Sequence, residues 1–433
     1  MTPPAARKDR LTPQPWMTAP ETQSVLAALG SGGAELRFVG GCVRDAVLDR
    51  AIGDVDIATP EPPALVMSRL ADAGIKAIPT GIDHGTVTAI AGGRAYEITT
   101  LRRDVETFGR HARIAFTDDW REDAARRDLT FNALSCTPDG VLYDYFGGLE
   151  DLAQGRVRFV GDPRQRIAED RLRLLRFFRF LAWYGQGDPD REGLAAAIAA
   201  APELAQLSGE RIQAEMLKLL AAPDPSPVLK LMADGGVLAH ALPASFRLEP
   251  LAALIGAERL AGLAGESIRR LGALLKPDPD GVLRVAERWR LSNSDRDRLF
   301  AIVAPGSKPA ADMSAKTQRL QLYRLGVARW TDHVLIAWSE ALAQGRAGDH
   351  GRWLDLLRLP ERWPPPALPV KGRDLMELGL TPGPEIGETM AALEEWWIGR
   401  DFAPDRQACL DWVAAKVRSA SPFRIDKDSA TPG

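Results

Sequence analysis

The stretch that most constrains this chain is residues 36–59, LRFVGGCVRDAVLDRAIGDVDIAT. It reads as a strand, a glycine turn, a short helix and a second strand carrying Asp54 and Asp56. Residues two apart on a strand project from one face, so the two carboxylates stand side by side. Such a pair suits Mg²⁺, which takes oxygen ligands and usually shares them with substrate phosphates. Gly40 and Gly41 open the helix near Cys42, where exposed N–H groups and the positive helix end make a ready phosphate site. Arg44 falls in the first turn of that helix. Taken singly, these features have plain structural readings: aspartates at strand ends are commonly solvated, and a Gly-Gly before a helix is commonly only a turn. Their conjunction in one strand–turn–helix–strand unit points to a nucleoside triphosphate with a metal ion. The chain has neither G-x-G-x-x-G nor G-x-x-x-x-G-K-[ST], which argues against a Rossmann dinucleotide site and a P-loop.

At 433 residues the chain exceeds one ordinary core, so two to four domains are expected. A hydrophobic content of 45% and a charged content of 26% are those of a soluble globular protein. The net charge of −3 argues, taken alone, against a nucleic-acid partner, so the local distribution of charge has to decide. Cys42, Cys136 and Cys409 include no close pair. That excludes a disulfide framework or a cysteine zinc site and fits a reducing cytoplasm. No apolar run is long enough to span a membrane, and the Pro-rich, charged residues 1–16 lack the apolar centre of a signal peptide. The five histidines show no metal-ligand spacing and no adjacent His-Asp pair.

Along the chain, residues 1–20 are expected to form a flexible arm. Residues 21–29 read as a short amphipathic helix, and the prolines from Pro60 start another that Gly74 ends. Three β-rich runs, IKAIPT, GTVTAIA and RAYEITT, follow between glycines. The first third is therefore a small α+β layer with a mixed sheet. Glu97, in the last of these strands, is a candidate third metal-facing carboxylate, although a strand Glu is more commonly a solvated face. Residues 102–120 are polar and weakly periodic and are expected to be a mobile loop of the substrate-gating class. ARRDLTFNALSC reads as the start of a helix, which would set Asp128 and Asn132 four apart on one face. Contacts to ribose hydroxyls and phosphate, or a surface hydrogen bond, are the two readings. VLYDYFGGLEDLAQGRVRFVG is expected to supply a strand pair around Gly147 and Gly148.

From Arg156 the character changes. Residues 156–181 hold eight arginines, at 156, 158, 164, 166, 171, 173, 176 and 179, against Asp162, Glu169 and Asp170. Such a stripe suits a phosphate backbone, and binding through it weakens with salt. RIAEDRLRLLRFFRFLAWYG reads as one helix on which Asp170 and Arg173, three apart, project on one side. There a carboxylate and a guanidinium fork can read the edge of a base. The simpler alternative is an ion pair within the helix, Glu169 to Arg173 at i,i+4. The remainder reads as helical, with Trp396 and Trp397 more consistent with core than with a base-stacking platform.

GGCVRD with DVD, YEITTLRRD, RRDLTFNAL, YDYFGGLEDLAQGRVRFVGDP, AEDRLRLLRFFRF and SGERIQAEM occur in this order between Phe38 and about Leu220. That series resembles the DNA polymerase beta-type nucleotidyltransferases, in their bacterial-type (class II) tRNA CCA-adding and poly(A) polymerase branch. A weaker likeness covers GRDLMELGLTPGPEIG. The resemblance implies an α+β, polymerase beta-like head over 21–155, then an all-α neck over 156–245, body over 246–362 and tail over 363–433. It implies Asp54 and Asp56 as ligands of two Mg²⁺ ions, with Glu97 as a possible third carboxylate. Gly40, Gly41 and Arg44 would lie near the triphosphate, and Arg127, Asp128 and Asn132 at the ribose. Glu169, Asp170 and Arg173, with Arg176 beside them, would form a protein template for CTP and then ATP. Phe108 stands where the family pattern leads one to expect an acidic residue. The implied reaction is attack of a tRNA 3′-hydroxyl on the α-phosphate of CTP or ATP with release of pyrophosphate, the partner being the tRNA acceptor stem and neither DNA nor a membrane. Poly(A) synthesis, CC-only addition and, from another class, non-catalytic nucleotide sensing by an RNA-binding protein remain open at this point.

Overall fold

Alternation of apolar and polar residues in 86–100 gives strands with one buried face, the strands within 36–59 are buried almost throughout, and the computed structural model of the chain builds its first layer from both. It describes residues 10–108, 111–346 and 348–420. The chain divides into two compact units, one running up to Leu248 and taking in Ala264–Arg296, the other holding Glu249–Leu263 and the residues from Asp297.

The first unit begins with α1 (Pro15–Thr18) and α2 (Pro20–Gly30), followed by β1 (Arg37–Val39), α3 (Gly41–Val47), β2 (Val55–Thr59) and α4 (Pro63–Asp72). Next come β3 (Lys76–Gly81), β4 (Thr86–Ala91), β5 (Arg94–Thr100), β6 (Arg102–Phe108), β7 (His111–Phe116) and α5 (Trp120–Ala125). The sequence continues through β8 (Ser135–Cys136), β9 (Leu142–Tyr143), α6 (Gly148–Ala153), α7 (Pro163–Glu169), α8 (Leu172–Tyr184), α9 (Arg191–Ala199) and α10 (Gly209–Leu220). Seven strands form one sheet in the order β3-β4-β5-β2-β1-β8-β9. Only β2 and β5 pair in parallel, so the sheet is mixed, as expected for an α+β head. Pro79 lies in β3, an edge strand where its missing N–H costs no ladder bond, and the register shifts there. Phe38, Val55, Ile57, Tyr96 and Ile98 are buried in the sheet's core, and the Tyr96 hydroxyl meets Thr22 Oγ1 of α2 at 3.0 Å.

Four expectations need correction. Residues 102–108 and 111–116 pair as a two-stranded ribbon, β6 with β7, rather than forming an irregular loop. Ladder bonds come from the backbone, so a charged, aperiodic sequence can pair without an alternating pattern. The side chain of Phe108 lies outside the described residues. The helix expected from ARRDLTFNALSC is absent, because α5 ends at Ala125 and only one 3₁₀ turn, Thr130–Asn132, follows. Asp128 takes its neighbour's N–H at Leu129, and the backbone of 128–130 bonds to Arg158 and Val160 instead. No strand pair forms around Gly147 and Gly148. The Asp144 carboxylate accepts the N–H groups of Phe146, Gly148 and Leu149 and starts α6, while β9 pairs with β8. The helix expected over AEDRLRLLRFFRF breaks at Asp170, whose backbone is extended (φ −148°, ψ 109°) between α7 and α8. Its carboxylate accepts the Leu172 N–H and restarts the chain as α8, where Leu174, Leu175, Phe177, Phe178, Phe180 and Leu181 are buried.

The second unit is helical. Glu249–Ala261 packs against the long helix Ala315–Ala343, which is interrupted at Gly326 (φ 72°, ψ 164°). Trp330 and Trp338 are fully buried beyond that break. Val370, Leu375, Leu393, Trp397, Cys409 and Val413 form a separate small core with Tyr323 against it. Trp396 lies against Trp412, so both members of the tryptophan pair serve packing.

Candidate active site

The site is built where β1 turns into α3. Gly40 has φ +70° and ψ −126°, a conformation that side chains disfavour. A Cβ there would stand 3.1 Å from Arg127 Nη1 and 3.9 Å from Asp56 Oδ2. Gly40, Asp56 and Arg127 therefore converge, and the bare glycine leaves the approach clear. α3 starts with no side-chain cap, leaving its first N–H groups turned out of the helix.

Asp54 is exposed just before β2, and Asp56 is half-buried within it. The parallel pairing of β2 with β5 sets Asp56 in register with the exposed Glu97. Burial, the Glu97 carboxylate and Asp54 push the Asp56 carboxyl up to about 6, against the pull of Arg127. Three carboxylates held near one another store electrostatic strain that a bound cation relieves. Among the described residues no group of three His, Cys, Asp or Glu side chains closes into a cage. An all-oxygen pair with Glu97 at hand fits Mg²⁺, which keeps part of its shell for substrate and water. Cys42 plays no such part: its thiol is buried, donates to the Val39 carbonyl at 3.3 Å, and is pushed up to about 12 chiefly by burial.

Behind these residues runs a buried polar chain. Arg44 donates to Asp45 through Nε (2.9 Å) and Nη2 (2.7 Å) and to Asn132 Oδ1 through Nη1 (2.8 Å). Its guanidinium lies over Tyr184, whose hydroxyl donates to Asp45 Oδ1 at 2.8 Å. Arg44 is 8% exposed, so its charge serves this network and holds Asn132. Asn132 Nδ2 donates to Asp128 Oδ1 (3.0 Å), and Arg176 Nε donates to Asp128 Oδ2 (2.6 Å). Burial works to raise the Asp128 carboxyl, but Arg176 and the donors Asn132 and Leu129 N–H hold it at about 2. Arg127 is tied by Nη2 to Asp123 (3.3 Å) and by Nη1 to the Asn132 carbonyl (3.4 Å).

The α7–α8 junction arranges the other group. Arg173 donates to Glu169 Oε2 (2.6 Å), so the i,i+4 ion pair is formed, and also to the carbonyls of Arg166 (3.2 Å) and Arg126 (2.8 Å). Asp170 does not lie beside Arg173 on one helix; instead Arg211 of α10 grips both its oxygens, at 3.0 and 2.8 Å. Sequence reasoning passed over Arg211, Glu215 and Asp123. Arg211 and Glu215 share one face of α10 at i,i+4, a signal that SGERIQAEM carries. Asp123 reads from sequence as one more acid at a helix start, and nothing local marks it as buried.

The arginine stripe is largely spent on the fold. Arg156 and Arg158 pair with Asp151, Arg166 and Arg173 with Glu169, Arg171 with Glu203, Arg176 with Asp128 and Arg179 with Glu215. Arg164 alone among the eight has no acidic partner among the described residues, and it is exposed.

Known proteins resemble this chain over most of its length. Residues 36–158 match the poly A polymerase head domain, and residues 188–247 match the family described as the probable RNA and SrmB-binding site of polymerase A. The mitochondrial CCA tRNA nucleotidyltransferase 1 of Mus musculus is 36% identical over 88% of this chain and 86% of its own length. The chain belongs to the CCA-adding tRNA nucleotidyltransferase family. The CCA-adding enzyme of Geobacillus stearothermophilus is 32% identical over 92% of this chain and 97% of its own. A Bacillus stearothermophilus CCA-adding enzyme, solved in complex with CTP, superposes with a TM-score of 0.68 at 29% identity, covering 93% of this chain and 98% of the other. With these family relatives in view, the head fold and the helical remainder are those of a CCA-adding enzyme.

Proposed function

We propose that the chain adds C, C and A to tRNA 3′ ends, taking CTP and ATP and releasing pyrophosphate. The observation that carries this reading is the Asp54–Asp56 pair open beside Gly40 and Arg127, in a chain of the CCA-adding family. Asp54 and Asp56, with Glu97 as a third carboxylate, would hold Mg²⁺, which supplies charge neutralisation for the attacking and leaving oxygens. Arg127 faces this pair and is placed to meet a triphosphate oxygen. Asp128 accepts three hydrogen bonds and keeps acceptor capacity for a ribose hydroxyl, while Asn132, Arg44 and Arg176 hold it in position. Asp170, gripped by Arg211, and Arg173, gripped by Glu169, offer an acceptor and a donor fork to the edge of a base.

A site with preset polar partners rejects the wrong base because its groups would be left unpaired. Asp170→Ala and Arg173→Ala are accordingly expected to blur the choice between CTP and ATP while single-nucleotide incorporation persists. Unchanged selectivity in both would remove the template reading. The reaction itself is tested with tRNA lacking its terminal three nucleotides, Mg²⁺ and CTP, ATP or both, with products sized on a gel. Growth by CCA only when both nucleotides are present supports the proposal. Long tails from ATP alone would replace it with poly(A) synthesis, and a stop after CC would restrict it. Among the described residues no helix is long and apolar enough to cross a membrane, and all three cysteines are free and buried, which fits work in the reducing cytoplasm.

A further inference from the structure

Six residues connect two parts of this site that are far apart in function. α5 is bound at one end to the root of the β6–β7 ribbon and at the other to the base-facing arginine. Asp123, in the middle of α5, is 3% exposed. Its Oδ1 accepts the backbone N–H of Arg102, the first residue of β6, at 3.3 Å, and Arg126 Nε at 2.8 Å. Its Oδ2 accepts Arg127 Nη2 at 3.3 Å. The other terminal nitrogen of that guanidinium is the atom 3.1 Å from the Cβ position of Gly40, beside Asp56. One carboxylate thus seats both the ribbon and the arginine of the catalytic cleft.

The neighbouring contacts extend the link in both directions. Glu122 accepts Thr117 Oγ1 (2.7 Å), just past β7, and lies 3.9 Å from Arg103 of β6. At the far end, the Ala125 carbonyl accepts Arg166 (2.9 Å) and the Arg126 carbonyl accepts Arg173 (2.8 Å). Among the described residues the ribbon pairs with no strand of the seven-stranded sheet and meets it at Leu101, whose N–H donates to the Thr59 carbonyl at the end of β2. Its root is held by that bond, by the turn at Thr117, whose N–H bonds to the Leu101 carbonyl, and by α5.

We propose that Asp123 is a positioning residue that couples the β6–β7 ribbon to Arg127 and, through Arg126, to Arg173. A shift of the ribbon root is carried by Asp123 into the guanidinium facing the triphosphate and into the carbonyl that holds the base-facing arginine. Ribbon and base choice then change together. The inference rests on the CCA-adding reading and assigns it a relay.

The test is a double-mutant cycle on the full chain with tRNA ending in CC and tRNA ending before CC, measuring ATP and CTP incorporation separately. Asp123→Asn keeps the shape and removes the charge. It is expected to lower kcat/KM by roughly 10- to 100-fold, the size of a lost charged hydrogen-bond partner, and to change the ATP-to-CTP ratio. Because Asp123 acts through Arg127, Asp123→Asn added to Arg127→Ala is expected to cost little beyond Arg127→Ala alone. Asp123→Glu, which restores the carboxylate, is expected to recover part of the loss. Additive losses in the cycle, or an unchanged ATP-to-CTP ratio with all activity lost alongside the melting transition, would overturn the relay and leave Asp123 a fold residue. If the parent makes only A tails, the CCA reading fails, while non-additivity in the same cycle on ATP incorporation still decides the relay.

Discussion

The paired strands β2 and β5 and the arginine-rich stretch from Arg156 to Leu181 handle charge in opposite ways. Asp56 of β2 lies in register with Glu97 of β5 and is also raised by Asp54 just before the strand, while the Arg127 guanidinium pulls the other way. In the arginine stretch seven of eight positive charges meet an acid within the same unit. Charge left uncompensated in a folded chain is kept against stability and marks a place waiting for a ligand. Charge that is compensated and buried is architecture. By that criterion the acidic pair is the candidate working site, and the stripe, which looks like an RNA surface in sequence, is mostly spent on ion pairs within the unit, with Arg176 and Arg179 tying α8 to Asp128 and to α10.

The sharpest way to break the comparison is at its acidic end. Asp56→Asn is expected to lower nucleotide incorporation by about 10³-fold or more, since a charge proposed to hold the metal is lost. Its melting temperature is expected to equal or exceed the parent's, because like-charge repulsion is relieved. A melting temperature several degrees lower would show the pair to be structural. At the arginine end the expected result is reversed. Glu215→Gln leaves Arg179 and Arg176 without the acid they share, and should cost about 3 kcal/mol in denaturant unfolding, as breaking one side of a buried pair does. A change under ~1 kcal/mol, the range of exposed ion pairs, would remove that reading.

Asp128 gives an intermediate effect with a defined pH dependence. Its folded carboxyl, at about 2, lies below the ordinary carboxylate range near ~4. A depressed value means the contribution is fully present above pH ~4 and is lost as pH falls toward 2. The stability gap between the parent and Asp128→Asn should therefore be constant at neutral pH and close below pH ~4. A gap that stays open in acid would contradict the ion pair with Arg176. The smallest effect belongs to Arg164. If Arg164, the exposed arginine of the stripe without an acidic partner among the described residues, meets a tRNA phosphate, Arg164→Ala should reduce the slope of log affinity against log salt by about 1 and leave nucleotide selectivity alone. An unchanged slope would take the last member of the stripe out of RNA binding.

Much of the head is legible in the chain because its signals are local. The D-x-D spacing on one strand, the glycines before α3 and the short β runs each follow from the period of two and from backbone freedom within a few residues. The break at Asp170 is not legible, since helical spacing continues through it. What stops the helix is a carboxylate engaged with Arg211, 41 residues away. The chain Asp45–Arg44–Asn132–Asp128–Arg176 is equally hidden, for its partners stand 88 and 48 residues apart. In the same way WREDAA resembles any solvated helix start, and only folding buries Asp123 between Arg102 and Arg127.

From its sequence alone this protein is determined as a polymerase beta-like nucleotidyltransferase with a helical remainder, because ordered motifs and strand periodicity depend on neighbours in the chain. Tertiary structure alone decided which charges are free. A side chain's charge is set by the sequence, but whether it is neutralised depends on partners that arrive from distant elements, and the energy of that pairing grows as water is excluded.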